Sequence, residues 1–369
     1  MITITLYFAT NRNHVGPRWA PRYYGQNFSG DRSSNLRFGK VSIDLEHAKI
    51  TKYLTKKVNK RAGDGEGLAE YITEQLRKKQ SIVAFKESKN EPLASTTAFH
   101  EIKSTMETNK DVVIFIHGFN VDWFEAVASA MSLELMLNRH SADINSLKDT
   151  KVFLFSWPSN GDMLKNKAYL SDRKDAEDSS LAIARGFLKL RDFLTSLAPK
   201  HSNPRLRECG QQLHLLCHSM GNFVLQHTLD SLQEINNQKH LPRLFQHIFM
   251  CAPDVDDNVF ECGQNMANVQ QLARQVNVYY NNGDLAMSIS DYTKGNPDRL
   301  GHNGAARPLQ LHNKITQINC SDIVGGLTEH SYYLWATVNE DIRQSIDDVA
   351  NNANSRKRDI QSTQTWSLV

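Results

Sequence analysis

Short, continuous apolar runs recur along the chain from Val112 onward, with amphipathic segments between them. The runs cover residues 112–116, 152–155, 213–216 and 248–250, and two further strand candidates follow over residues 276–280 and 315–318. An apolar run without alternation is typical of a strand that is buried on both faces, as in a parallel sheet. Between the runs, apolar residues recur at spacings of three and four over Ala126–Leu137 and Ile183–Leu197, which predicts helices that pack on the sheet. The pattern therefore predicts an α/β protein with a mostly parallel central sheet and helices on both faces.

The chain before and after this pattern has a different character. Residues 1–105 contain strand-like segments over Ile2–Ala9 and Leu36–Ile43, followed by a helical stretch. Residues 351–369 are polar and show no sustained period. We therefore predict an N-terminal, strand-containing extension that can serve as a cap (1–105), a main domain (106–350) and a flexible polar tail (351–369).

The charge balance and the cysteines limit the partners and the compartment. The net charge of +3 is too small to give a strong electrostatic footprint for nucleic acid or an anionic membrane. No uninterrupted apolar run approaches the ~18 residues that a transmembrane helix needs. The five cysteines are widely spaced and include no Cys-x-x-Cys pair, which favours reduced thiols over a zinc or redox site. We therefore expect a cytoplasmic protein without a nucleic-acid partner, an integral membrane segment, a metal or an organic cofactor.

The segment around Ser219 joins a buried strand, a tight turn and a helix. The strand runs through Leu213–Cys217, the serine stands at the turn, and the helix follows from Gly221. A sharp strand-to-helix turn lifts a serine hydroxyl above the sheet edge and requires small residues two positions before and after the serine. Gly221 meets this requirement, whereas Cys217 stands where glycine is commonest, so the turn has to accommodate a thiol. Such a serine can also be a plain helix cap, but its place directly after a buried strand favours a nucleophile.

A second turn, His117-Gly118-Phe119-Asn120, directly follows the first buried strand of the pattern, and we call it the His117 loop. When a nucleophilic serine stands at a strand-to-helix turn, a loop in this place supplies part of the oxyanion hole. We predict the backbone N–H groups of Met220 and Phe119 as the two donors, with Asn120 as the alternative to Phe119. For the His117 side chain we predict a structural hydrogen bond within its neighbourhood.

Eight motifs are spread over nearly the whole chain, apart from residues 50–105 and the tail. They are Tyr7-Phe8-Ala9-Thr10-Asn11-Arg12, Phe38-Gly39-Lys40-Val41, the His117 loop, Ser156-Trp157-Pro158-Ser159, the Ser219 turn, Ala252-Pro253-Asp254-Val255-Asp256, Asn282-Gly283-Asp284-Leu285-Ala286 and His330-Ser331-Tyr332-Tyr333. Together they resemble the α/β-hydrolases, and in particular the bacterial esterase-like group known as domain-of-unknown-function family 900. The resemblance implies the α/β-hydrolase fold and does not imply a particular substrate.

A serine nucleophile needs a histidine base, and in this fold the chain order is serine, acid, histidine. The histidines that follow Ser219 are His227, His240, His247, His302, His312 and His330. We predict His330 as the base, because it follows the last predicted strand and precedes the final helix, which Ser331 can cap. The resemblance implies the same residue.

The histidine in turn needs a carboxylate that fixes its tautomer and stabilises its charged form. Asp284 follows the predicted strand over residues 276–280, where this fold usually carries the acid. Asp254 follows the preceding strand and is the alternative acid. Either carboxylate can instead organise a turn. We predict Asp284 as the acid.

These residues predict an enzyme that cleaves a small-molecule carboxylic ester through an acyl-enzyme on Ser219. Trp157 ends a strand at the same edge of the sheet, and we predict it either in the substrate pocket or in the core. Acyltransferase or thioesterase activity with the same residues stays open. A non-catalytic binding protein that retains the scaffold is the remaining alternative, because a fold alone does not guarantee activity.

Overall fold

The computed structural model describes residues 1–30, 35–58, 61–86, 93–106, 111–140, 150–159, 166–196, 212–237, 241–287, 298–324 and 329–369. The strands within these residues are β1 (Ile2–Thr10), β2 (Arg12–Val15), β3 (Tyr23–Phe28), β4 (Arg37–Leu45), β5 (Lys57–Val58), β6 (Arg61–Ala62), β7 (Ser81–Ala84), β8 (Asp111–Ile116), β9 (Thr150–Ser156), β10 (Gln212–His218), β11 (Phe245–Cys251), β12 (Ala273–Tyr280), β13 (Ile315–Asn319), β14 (Arg358–Ser362) and β15 (Thr365–Leu368). The helices are α1 (His47–Thr55), α2 (Gly65–Lys78), α3 (Ala94–Met106), α4 (Trp123–Leu137), α5 (Asn166–Ser196), α6 (Gly221–Ile235), α7 (Leu300–Asn303) and α8 (Ala336–Ile346).

Eleven of the described strands form one sheet in the order β14-β15-β13-β12-β11-β10-β8-β9-β1-β4-β7. Every neighbouring pair from β15 to β1 is parallel, and the antiparallel pairs lie at the two ends of the sheet. The other four described strands form two small pairs, β2 with β3 and β5 with β6. The mostly parallel sheet that the apolar runs predict is confirmed.

The sheet is covered on both faces because its central strands are apolar on both. On β8, Val113 and Phe115 belong to the core that includes α2 and α4, while Val112 and Ile114 belong to the core that includes α5 and α6. The predicted apolar stripe of α4 is buried throughout. The apolar stripe of α5 is buried at Ile183 and Phe187, and Leu197 lies outside the described residues.

The register of the central strands brings their carboxyl ends to one edge. Ile116 of β8 is paired with Cys217 of β10, and His218 of β10 is paired with Cys251 of β11. The residues that follow these strands are the His117 loop, Ser219 and the segment that carries Asp254. Since they leave neighbouring parallel strands in the same direction, they meet at the same end of the sheet.

Strands β1, β4 and β7 come from the predicted N-terminal extension and continue the main sheet. Tyr7 of β1 is paired in parallel with Phe153 of β9, and β4 is paired antiparallel with β1. The functional division of the chain at residue 105 stays a prediction. The first strands of the chain nevertheless share the sheet that carries the candidate site.

The predicted flexible tail is wrong, because residues 358–362 and 365–368 form a β-hairpin at the sheet edge, with β15 paired to β13. Arg356 donates to the buried carboxylate of Asp341 at 3.0 Å, and Arg358 donates to its other oxygen at 2.5 Å. The arginines that make this segment polar in sequence are thus held by a buried counter-charge. Two strands of four and five residues show too little hydrophobic periodicity to be recognised from sequence.

Among the helices that the structure describes, none combines the length and the apolar character required to cross a membrane.

Candidate active site

Ser219 follows β10 at the tip of a strained turn. Its φ of 53° lies in the left-handed region, which a residue with a side chain adopts at a cost in energy. The Ser219 N–H donates to the Cys251 carbonyl at 2.9 Å, which fixes the turn to the neighbouring strand. A Cβ on Gly221 would stand 2.5 Å from the Ile116 carbonyl oxygen, so only glycine fits there. The predicted strand, turn and helix are therefore present, and the turn requires its glycine.

Cys217 is fully buried at the end of β10. Burial raises the pKa of its thiol well above the ordinary value, which keeps the thiol protonated and unreactive. The turn accommodates the thiol by directing it into the core that includes α5 and α6. The thiol therefore points into the fold, away from the edge that carries Ser219.

The His117 loop lies against Ser219. A Cβ on Gly118 would stand 2.8 Å from the Cβ of Ser219, so the close approach of the loop depends on this glycine. Asn120 ends the loop with a φ of 55°. In the part of the chain that the structure describes, the N–H groups of Phe119 and Met220 have no backbone hydrogen-bond acceptor. Both predicted donors are therefore available to an oxygen that a ligand brings.

His117 and Trp157 support the loop from inside the fold. The two rings stack with centroids 5.3 Å apart, and Trp157 Nε1 donates to the His117 carbonyl at 2.9 Å. His117 Nδ1 donates to the Gly118 carbonyl at 2.9 Å, as expected of a structural histidine. Burial, reinforced by the charge of Arg12, lowers the pKa of His117 to about 3. Trp157 is fully buried, which favours a place in the core over a place in the substrate pocket.

His330 and Asp284 are in direct contact. His330 Nδ1 lies 2.7 Å from Asp284 Oδ2, and the other carboxylate oxygen accepts the Ala286 N–H at 3.0 Å. Asp284 is fully buried. These two donors hold its carboxylate inside the fold. Ser331 makes no side-chain cap, because a short 3₁₀ turn over Tyr332–Leu334 separates His330 from α8.

His218 joins this pair to the Ser219 turn. Its Nε2 donates to the His330 carbonyl at 3.2 Å, and the two imidazole rings are in contact with centroids 4.8 Å apart. Burial, followed by the proximity of His330, lowers the pKa of His218 well below its ordinary value, so its ring is neutral. The residue that precedes Ser219 in the chain therefore contacts His330 through both its ring and a hydrogen bond.

Asp254 is buried at the same edge of the sheet but has different partners. Its N–H donates to the Ser219 carbonyl at 3.2 Å. Its carboxylate accepts the Tyr169 hydroxyl at 2.8 Å and lies 3.4 Å from Arg299 Nε, while Arg299 also pairs with Asp256. The structure thus brings Asp284, and not Asp254, into hydrogen-bond contact with His330.

The other histidines considered as a base have separate surroundings. His302 donates to the Asn282 carbonyl at 2.8 Å, and His247 lies 3.3 Å from Asp348. His312 is exposed before β13, and His227 is on α6 near Asp230. His240 lies outside the described residues. Within the described ranges, no three His, Cys, Asp or Glu side chains cluster in a way that could hold a metal ion.

Sequence reasoning missed two contacts in the candidate site, which are the hydrogen bond from His218 to the His330 carbonyl and the one from Tyr169 to Asp254. His218 stands in the variable position before the serine, and Tyr169 lies in a helix far along the chain from Asp254. Neither position carries a spacing signal. Both contacts come from distant segments that meet only in the folded chain.

A family model described as "Alpha/beta hydrolase of unknown function (DUF900)" matches residues 94–338. The matched span contains Ser219, Asp284 and His330, but it does not reach the motifs over residues 7–12 and 38–41 that we included in the resemblance. An uncharacterized protein of Nostoc sp. (strain PCC 7120) is 26% identical over 227 residues, which are 50% of this chain and 55% of that protein. The chain therefore spans about half the length of the curated relative it matches.

Three solved structures resemble parts of the chain. Esterase B from Lactobacillus rhamnosis is 14% identical, with 66% of this chain and 75% of that chain covered and a TM-score of 0.31. An esterase from Pyrobaculum calidifontis is 8% identical, with 82% and 99% covered and a TM-score of 0.29. The phospholipase PlaB from Legionella pneumophila is 17% identical, with 57% and 37% covered and a TM-score of 0.23.

Proposed function

The chain belongs to the DUF900 family of alpha/beta hydrolases, and from this premise we propose that it cleaves small-molecule carboxylic esters through an acyl-enzyme on Ser219. It has the α/β-hydrolase fold, with a mostly parallel sheet and helices on both faces. One observation carries the proposal. The Asp284–His330 pair, joined at 2.7 Å, lies beside the strained turn that presents Ser219.

In the first step the Ser219 oxygen attacks the ester carbonyl carbon, and His330 takes the hydroxyl proton on Nε2. The contact with Asp284 supports this role, because a carboxylate at Nδ1 keeps the Nδ1–H tautomer and leaves Nε2 free to accept. The carbonyl π electrons move to oxygen, and a tetrahedral oxyanion forms. When it collapses, the C–O bond to the alcohol breaks and His330 returns the proton to the leaving oxygen.

In the second step water replaces the alcohol. His330 takes a proton from the water as its oxygen attacks the acyl carbon, and collapse of the second tetrahedral species releases the acid and restores the Ser219 hydroxyl. Neutral His218 supports this cycle because it holds the His330 backbone through a hydrogen bond without adding a competing positive charge.

Two backbone N–H groups stabilise the oxyanion in both steps. The Met220 N–H stands directly before α6, where the helix dipole favours negative charge. The Phe119 N–H belongs to the His117 loop, which Gly118 allows to approach Ser219. The absence of backbone acceptors for these two groups in the described chain supports their assignment.

A chain-length series of p-nitrophenyl esters tests the proposal on the purified protein. We expect saturable hydrolysis by the wild type and the loss of nearly all turnover in Ser219→Ala. Ser231→Ala is the matched control, since Ser231 lies on α6 and its hydroxyl lies 3.3 Å from the Ser180 hydroxyl. Equal hydrolysis by Ser219→Ala and the wild type contradicts the proposal.

A further inference from the structure

Arg12 is fully buried behind the His117 loop and has no role in the acyl transfer proposed for Ser219. Its Nε donates to Ser156 Oγ at 2.8 Å. Its Nη2 donates to the carbonyl oxygen of Val121, directly after the loop, at 2.7 Å and lies 3.4 Å from Nε2 of His117, at the start of the loop. One guanidinium therefore reaches both ends of the loop.

The charge of Arg12 makes its position costly for stability. The hydrogen-bond acceptors that Arg12 contacts are neutral. Among the described carboxylates, those of Asp122, Asp172 and Glu125 interact with its charge at longer range. Burial lowers the pKa of Arg12 to about 10, so the group remains charged at neutral pH. A buried cation without a contacting carboxylate is expensive. A neutral side chain could fill the space at lower cost, which indicates that the guanidinium serves the loop.

A chain of hydrogen bonds runs from Arg12 to the peptide bond between Gly118 and Phe119. The Ser156 hydroxyl accepts from Arg12 and lies 3.2 Å from His117 Nε2. His117 Nδ1 must be its protonated nitrogen, because it lies 2.9 Å from the Gly118 carbonyl oxygen, which can only accept. Nε2 of the neutral ring therefore accepts, with the Ser156 hydroxyl as the nearer donor at 3.2 Å and Arg12 Nη2 at 3.4 Å. The donor and the acceptor of each hydrogen bond from Arg12 to the Gly118 carbonyl are therefore assigned.

The last bond fixes the orientation of a predicted oxyanion donor. In a planar trans peptide the C=O and the following N–H point in opposite directions. Holding the Gly118 carbonyl toward His117 therefore turns the Phe119 N–H to the opposite side of the peptide. A loss of this restraint would let the peptide rotate, because Gly118 offers little steric resistance.

We propose that Arg12 is a positioning residue, which acts through Ser156 and His117 to orient the Phe119 N–H toward the oxyanion. The inference rests on the proposed function. It predicts that Arg12 matters more as charge develops on the substrate oxygen than when the ester first binds. A residue that only stabilised the fold would lower the fraction of active protein and leave the turnover of each active site unchanged.

The test compares Arg12→Met, Arg12→Lys and Ser156→Ala with the wild type, each normalised to the sites titrated by an active-site phosphonate. The readouts are kcat, KM and the affinity for an alkyl trifluoromethyl ketone, which becomes a tetrahedral oxyanion when serine adds to it. For Arg12→Met we expect kcat and ketone affinity to fall together by about a hundredfold, with KM little changed. For Arg12→Lys, which keeps the charge and part of the bonding, and for Ser156→Ala, we expect losses of about tenfold.

Arg356→Met is the matched control, since Arg356 is also buried but is bonded to Asp341 at the sheet edge. We expect it to melt earlier and to keep the wild-type kcat per titrated site. Wild-type kcat and ketone affinity per titrated site in Arg12→Met overturn the inference. If that variant does not fold, wild-type ketone affinity in Ser156→Ala overturns it instead. A wild-type protein that the phosphonate does not titrate refutes the proposed function itself, and the inference with it.

Discussion

His218 Nε2 lies 3.2 Å from the carbonyl oxygen of His330, so the residue before Ser219 ties the two loops of the candidate site together. We predict that His218→Phe, which keeps a ring and removes the donor, lowers kcat by about tenfold, because a buried carbonyl loses its hydrogen bond. KM should change little. Steady-state kinetics per titrated site measure the effect, with exposed His312→Ala as the control that keeps wild-type turnover. Equal kinetics in His218→Phe and the control would show that the contact has no role in turnover.

Asp284→Asn should abolish most of the activity without unfolding the protein. The amide has the shape of the carboxylate and can still accept the Ala286 N–H, but it no longer holds the Nδ1–H tautomer of His330. We expect kcat to fall by about a thousandfold or more. Asp322→Asn, at an exposed position after β13, is the control and should match the wild type. Normal kcat in Asp284→Asn would leave the proposed histidine without its acid.

Asp254→Asn should lower the stability of the protein more than its turnover. The change removes a buried charge that faces Arg299, and Asp256 compensates this arginine only in part. We expect unfolding to become easier by about 3 kcal/mol, while kcat per titrated site falls far less than in Asp284→Asn. Thermal melts and kinetics on the same samples separate the two effects. A variant that melts like the wild type but has lost its turnover would move the acid to Asp254.

The sequence predicted the site residues whose positions follow from a local pattern. It left open the residues whose roles depend on contacts between distant segments. The turn at Ser219 was predictable because a buried strand, a serine and Gly221 are consecutive in the chain. The choice between Asp284 and Asp254 was not settled by pattern, because both follow a buried strand and only the fold gives one of them His330 and the other Arg299.

The same distinction holds for the fold. The apolar runs predicted four central strands, since burial on both faces leaves a continuous local signal, and two further strand candidates correspond to β12 and β13. The hairpin after α8 was missed because the charges of Arg356 and Arg358 are matched by Asp341, which lies 15 and 17 residues earlier on α8. A polar segment with a remote counter-charge has the composition of a flexible one.

Glu66 gives a pH-dependent prediction for stability. Burial, reinforced by Glu329 nearby, raises the pKa of this carboxyl from its ordinary value of 4.5 to about 7. A group whose pKa is raised on folding contributes stability below the unfolded value and loses it as the pH rises through the folded value. Glu66→Gln removes this ionisation, so the variant should gain stability over the wild type as the pH rises from 5 to 8. Because the group is partly exposed, we expect a gain on the order of 1 to 2 kcal/mol at pH 8.

Denaturant unfolding at several pH values measures this difference. Glu70→Gln, at an exposed position on the same helix, is the control for the loss of a carboxylate. A difference between Glu66→Gln and the wild type that is constant from pH 5 to 8 would contradict the raised pKa.

Labelling with a fluorophosphonate, followed by peptide mass mapping, tests whether Ser219 is the nucleophile. We expect one phosphonyl group on each wild-type chain, located on Ser219, and none on Ser219→Ala. Labelling should be slower in His330→Ala, because the serine loses its base. A label on another residue, or equal labelling of Ser219→Ala, would contradict the account.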